Sequence, residues 1–158
     1  MAIYLKYDGI DGDVTEDKHK KWIEINSLQF GIGRAIQTPT GASENRESSH
    51  PSVSEVVVSK LMDTASSKLF TESVTGEGKK VEIHLVSTSK NVSNVYAEYT
   101  LTNSMISGYS VSSGGDRPSE SISINFTKIE YKVTPLGLNN EPGTPVAVSY
   151  DLSTAKAG

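Results

Sequence analysis

The sequence predicts a mainly β protein with one helix. Three observations predict it: apolar residues alternate with polar ones from end to end, two alternating segments change parity partway, and one segment has helical spacing instead.

The alternation runs in chain order through Ile3, Leu5 and Tyr7, then Ile23 and Ile25, then Val81, Ile83 and Leu85. It continues through Val95, Ala97, Tyr99 and Leu101, then Ile122, Ile124 and Phe126, and ends with Val146, Val148, Tyr150 and Leu152. The residues between them are mostly Ser, Thr, Glu, Lys and Asn, the pattern of antiparallel sheet with one buried and one wet face. Parity changes where Ile23 and Ile25 give way to Leu28, Phe30 and Ile32, and where Ile122 to Phe126 gives way to Ile129, Tyr131 and Val133. Two readings stand. Either a bulge or bend lets one long strand serve two sheets or close a barrel, or the second halves face a neighbouring subunit.

Thr64 to Gly76 breaks the β pattern. Asp63 or Thr64 can cap its start, Ala65, Leu69, Phe70 and Val74 fall on one side, and Gly76 supplies a left-handed residue to stop it. The spacing predicts a helix over about Thr64 to Thr75, of about three turns, whose apolar stripe packs on the core. The stretch Arg34 to Ser52 has no periodicity and reads as a long polar loop, which in a compact domain is functional or disordered. Asp8 to Lys21, Ser112 to Ser119 and Pro135 to Pro145 are shorter connectors.

A length of 158 residues fits a single domain spanning 1–158. The apolar share is 35% and the aromatic share 7%, so the core is drawn from Val, Ile and Leu, a composition that favours strands. Net charge is −4 with no long basic run, which disfavours nucleic acid as a partner. The absence of cysteine removes disulfides, thiolate metal sites and a cysteine nucleophile. Met1 to Lys6 carries no basic stretch leading into an apolar run, and no apolar run reaches about eighteen residues. The expectation is a chain made in the cytoplasm that leaves, if it does, without a cleavable signal, and no membrane insertion. The sequons at Asn91 and Asn125 then read as chance.

No catalytic or cofactor motif holds. Gly31-Ile32-Gly33 has Ile36 where a dinucleotide fingerprint needs its third glycine. Gly76-Glu77-Gly78-Lys79-Lys80 has Ser73 in place of the first phosphate-loop glycine, and Lys80 where Ser or Thr would bind magnesium. Gly41-Ala42-Ser43-Glu44-Asn45 fails the nucleophile elbow at Asn45. His19, His50 and His84 lie in separate segments without zinc-helix spacing; two read as surface residues and His19 as a tie for a connector. Asp8, Asp11, Asp13, Glu16 and Asp17 tempt as calcium ligands, but Glu16 and Trp22 stand where the loop needs glycine and a bidentate glutamate. The chain is expected to be no enzyme and to need no cofactor or metal.

Three blocks of residues carry a resemblance. The first is Ile3-Tyr4-Leu5-Lys6, Asp8-Gly9-Ile10, Gly12, Thr15, Asp17, His19 and Ile23-Glu24-Ile25. The second is Lys60-Leu61-Met62-Asp63 with Ser66-Ser67-Lys68-Leu69-Phe70 and Thr75-Gly76. The third, the most specific, runs from Ser112 through Gly114-Gly115-Asp116-Arg117-Pro118-Ser119-Glu120-Ser121 to Asn125-Phe126 and Lys128-Ile129-Glu130-Tyr131. Together they resemble the Hcp family, the tube protein of type VI secretion. Leu28, Phe30 and Tyr150 depart from it where many members carry tryptophan.

The resemblance implies a closed antiparallel β-barrel of two packed sheets with one flanking α-helix. It implies homohexameric rings that stack into a secreted tube inside a contractile sheath, tipped by a spike protein and carrying effector proteins in the lumen. On this reading Asp116, Arg117 and Glu120 are the family motif. Arg34, Thr38, Glu44, Arg46, Glu47 and His50 belong to a ring-stacking loop, because an extended polar arm can reach a neighbour without disturbing its own barrel. Ser27 and Gln29, then Ser121, Ser123 and Asn125, are the candidates for contacting effectors from the lumen wall, being small neutral side chains on polar strand faces. The competing reading is a monomeric β-sandwich binding module, for example for carbohydrate.

Overall fold

The structure, a computed structural model, describes residues 1–38, 40, 41, 47, 48, 50–89, 91–138 and 141–158, with the backbone alone at 47 and 48. In chain order the elements are β1 (Ala2–Tyr7), β2 (Ile23–Ile25), β3 (Ser27–Gln29), β4 (Ile32–Gly33), β5 (Ile36–Gln37), β6 (Glu47–Ser48), β7 (Ser52–Val53) and β8 (Val56–Leu61). There follow α1 (Ser66–Thr75), β9 (Lys79–Ser89), β10 (Val92–Ser112), β11 (Ser119–Asn125), β12 (Lys128–Val133), β13 (Val146–Asp151) and β14 (Lys156–Ala157). The protein is mainly β with one helix, as the alternation predicted.

Two antiparallel sheets share β10. The first runs β2-β1-β9-β10-β12-β13-β14 and the second β10-β11-β8-β3. β10 serves both because it is 21 residues long: Val92 to Ser104 pair with β9, and Met105 to Ser112 pair with β11. The handover falls at Asn103, which is left-handed (φ 54°) where the β9 register shifts. Asn tolerates that conformation better than a branched residue. A Cβ at Gly78 would come within 1.6 Å of Asn103 Oδ1, so position 78 has no room for a side chain beside this bulge.

Both parity changes mark passages between sheets. Ile23 to Ile25 pair with β1, Ser27 to Gln29 pair with β8, and between them the Asn26 N–H donates to Ser59 O at 2.7 Å. Likewise β11 pairs in the second sheet and β12 in the first. The closed barrel that the resemblance implied is not formed: the sheets are open. Closure would need one continuous ladder, whereas β2 and β3 are three-residue strands that each pair on one side with a different partner.

The core lies between the sheets, built from Leu5, Tyr7, Ile23, Ile25, Val56, Val58, Val81, Ile83, Leu101, Ile122 and Ile124, with Leu69 reaching in from α1. Each such side chain contributes roughly 1.5–3 kcal/mol by leaving water. The helix starts later than the expected Thr64 and has no side-chain cap at Ala65. Asp63 instead caps the preceding turn, its Oδ1 accepting the Ala65 N–H at 2.9 Å. Gly76 is extended (φ −64°, ψ 149°) rather than left-handed, and its N–H donates to Glu72 O at 2.9 Å. Only half of the predicted stripe is core: Ala65 and Leu69 are buried, but Phe70 and Val74 are 58% and 69% exposed.

The polar stretch after β3 is not a plain loop. β4 pairs with β7 and β5 with β6, so the chain runs out and back as a narrow ribbon of two short ladders. Its composition hid this, because strands of two residues are too short to show an alternation of apolar side chains.

Candidate functional site

The outward face of the second sheet is a field of small neutral side chains. Ser27, Ser59, Ser121 and Ser110 align in one cross-strand row through β3, β8, β11 and β10, and Gln29, Val57, Ser123 and Gly108 align in the next. Ser27 Oγ and Ser59 Oγ are 2.5 Å apart. Pleating sends Val56, Val58, Ile122 and Ile124 to the opposite, buried face. Asn125, opposite Met105, continues the face beyond Ser123. Sequence reasoning thus named residues that tertiary structure brings together, and missed Ser59 and Ser110, which no local signal sets apart from other strand serines. Gln29, Phe30, Gly31, Ser54, Glu55 and Val57 edge an open cleft of about 440 Å³ at the margin of this face.

The family-motif residues do different work. Glu120 is 1% exposed and directly opposite Lys60, itself fully buried, on the inner side of the same sheet. Lys60 Nζ donates to Glu120 Oε1 at 2.6 Å and to Asp63 Oδ1 at 2.9 Å, while Ser66 Oγ donates to Glu120 Oε1 at 2.7 Å. The Tyr109 hydroxyl donates to Glu120 Oε2. Arg117 Nε donates to Met62 O at 2.7 Å, and the Asp116 carbonyl accepts from Ser113 Oγ at 3.3 Å in an exposed turn. The motif therefore straps the β8-to-α1 corner to β11. Lys60 had a sequence signal that went unused: it stands in phase with Val56 and Val58, on the buried face.

In the arm, Arg34 and Thr38 are exposed, Glu47 lies in β6, and His50 is exposed beside β7. Glu44 and Arg46 lie outside the described residues. Among the described residues no group of three or more His, Asp or Glu side chains is arranged to hold a metal ion, and no helix is long and apolar enough to cross a membrane.

An apolar cleft of about 430 Å³ opens on the first sheet, lined by Phe30, Ile32, Tyr99, Ile129, Tyr131, Val148, Ser149 and Tyr150. Tyr99 and Tyr131 stack with ring centroids 4.8 Å apart, and Phe30 meets Tyr99 edge-on at 6.0 Å. Burial, then the Tyr131 charge and its hydrogen bond, raises the Tyr99 hydroxyl above its usual pKa. Ile32 and Val148 remain largely in water, and an exposed apolar surface of this kind marks a place of contact. Several of its residues come from the second halves of the parity-switched segments.

These features define a two-sheet β protein with one helix, a smooth polar face and a separate apolar cleft. The chain belongs to the Hcp family: the sequence profile described as "Type VI secretion system effector, Hcp" matches residues 4–133. A solved structure described as "Structure of a type six secretion system protein" is 29% identical over 99% of both chains, with a TM-score of 0.91. Hcp2 from Salmonella typhimurium is 26% identical over 97% of each chain, with a TM-score of 0.70. Hcp1 from Salmonella typhimurium shares the fold, with a TM-score of 0.78 and 23% identity over 99% of this chain and 98% of that one. No curated protein sequence matches the chain.

Proposed function

We propose that this chain is a non-catalytic structural subunit of the type VI secretion inner tube, a single domain that closes homohexameric rings with copies of itself. One observation carries the reading: a chain of the Hcp family bears two different apolar patches, the cleft around Tyr99 and Tyr131 and the outer edge of α1 at Phe70 and Val74. A ring joins one patch of each subunit to another patch of the next, and repetition around the axis makes modest patches sufficient. Among the described residues β14 and β3 each pair on one side alone, which supports this reading, since unpaired edges invite a neighbour.

Ser27, Gln29, Ser121, Ser123 and Asn125 line the lumen, where uncharged side chains hold varied effectors through many small contacts. The arm bearing Arg34, Thr38, Glu44, Arg46, Glu47 and His50 reaches the next ring. Sheath and spike are the further partners.

Size-exclusion chromatography with light scattering tests the ring. The expected mass is that of a hexamer, with a central hole in electron micrographs; a monomer at high concentration overturns the reading. A sugar-binding monomer would use the same aromatic cleft, and a ring in which that cleft is covered counts against it. Shortening the arm should abolish stacking and secretion while leaving folded rings, and unchanged secretion would remove the arm from that role.

A further inference from the structure

The two cross-strand rows on the outward face of the second sheet, from Ser27 to Ser110 and from Gln29 to Gly108, carry no charge. A single anion stands at their margin. Glu55 immediately precedes β8, in phase with the outward-facing Val57 and Ser59, and is half-buried. In the β10 bulge between Ile106 and Gly108, Ser107 Oγ donates to Glu55 Oε2 at 2.5 Å and lies 3.3 Å from Ser123 O. Among the described residues no Lys, Arg or His is ion-paired with Glu55.

Glu55 lines the open cleft of about 440 Å³ together with Phe30, Val57, Gly31, Gln29 and Ser54. Its wall is held from behind: the Phe30 ring lies 6.0 Å from Tyr99 and 6.4 Å from Phe126. Its floor, at the root of the arm, is tied by the Ser54 N–H donating to Gly31 O at 2.9 Å and the Gly31 N–H donating to Ser54 Oγ at 2.8 Å. The cleft thus joins an apolar wall of Phe30 and Val57 to one carboxylate whose position Ser107 fixes. That combination matches a long side chain with an apolar stem and a cationic head, which lays its methylenes on apolar surface and can set its charge against an aromatic ring. A divalent metal is a poor fit, because it wants several oxygen ligands and one carboxylate with an oxygen already engaged supplies too few. An anionic ligand would be repelled by Glu55.

We propose that this cleft takes a lysine or arginine side chain of a bound polypeptide, with the stem on Phe30 and Val57, the cation on Glu55, and Gln29 and Ser54 offering hydrogen bonds at the edge. Its placement in a lumen rests on the ring reading above. There each subunit presents one cleft, so a cargo protein with several basic side chains is held by several individually weak pairs at once. The serine rows accept varied surfaces, and Glu55 adds a preference for positive charge.

Fluorescence anisotropy with a labelled lysine-rich Gly-Ser peptide tests the cleft, against the same peptide acetylated at every lysine and a glutamate-rich one. At low salt, where exposed charges are least screened, the lysine peptide should bind about fivefold or more tightly than either. Glu55→Gln should weaken lysine-peptide binding by about the same factor, and Gln29→Glu, which adds a second carboxylate to the cleft, should tighten it. Glu130→Gln makes the equal charge change at an exposed position of β12 in the first sheet and should leave binding as it was. Unchanged affinity in Glu55→Gln, an equal loss in Glu130→Gln, or equal binding of the acetylated peptide refutes the proposal. Light scattering on the same samples separates it from the ring. A monomer that still needs Glu55 to bind removes the ring and keeps the cleft, and a ring indifferent to Glu55→Gln removes the cleft and keeps the ring.

Discussion

Two polar clusters hold loops to the sheets by opposite strategies. Around Lys60 an amine is fully buried against Glu120 and Asp63, and around His19 a pair of imidazole rings lies between Glu16 and Glu98. In the first, the amine, two carboxylates and two hydroxyls hold one another inside a desolvated pocket, where losing a partner is costly. The second has a proton inventory that pH can change. A fixed strap thus secures the helix corner, and a titratable one secures the first connector.

The largest expected effect breaks the fixed strap. Glu120→Ala leaves Lys60 buried with one carboxylate and strips the Tyr109 hydroxyl of its acceptor, so denaturant unfolding should show a loss of about 3–5 kcal/mol. A loss below about 1 kcal/mol would mean that the cluster behaves like a surface pair.

Next comes the connector's own geometry. A Cβ at Gly12 would meet Trp22 O at 2.4 Å and Ile23 Cα at 2.8 Å, backbone that cannot step aside. Gly12→Ala should therefore cost about 1–3 kcal/mol, read by the same unfolding curves. Equal stability of the variant would show that the connector is looser than its contacts imply.

Acid should then separate the two clusters. The folded-state value of His84 is depressed, so below the ordinary value of 6.5 an unfolded chain binds protons that the folded chain refuses. Stability is full above that value, falls as pH drops below it, and levels off under the folded value. Melting temperature against pH should show this fall in the wild type and lose it in His84→Gln. Glu120→Gln should shift the whole curve without changing its shape there. The smallest effect is a control: Lys20 and Asp17 are 3.4 Å apart but 67% and 92% exposed, so Lys20→Ala should change stability by no more than about 0.5 kcal/mol.

Legibility differed by kind of residue. Strands with one wet face announced themselves, and the five serine-face candidates followed from the same alternation together with the family resemblance. The length of β10 beyond Leu101 did not, because its bulges at Asn103 and near Gly108 reset the alternation. The arm ribbon was read as loop because each of its strands is only two residues long, too short for an alternation to show. Phe70 and Val74 looked like core because helical spacing reports a stripe without reporting how much of the stripe a sheet can cover.

By itself the sequence determined the β class, the single helix, the places where the two parity changes fall and the family, since these rest on local periodicity and on runs of particular residues. Only the tertiary structure decided that Lys60 meets Glu120 sixty residues away and that His19 meets His84 across 65. It also decided that the sheets stay open. Those outcomes depend on register between distant strands, and a one-residue slip would turn each of these side chains to the other face.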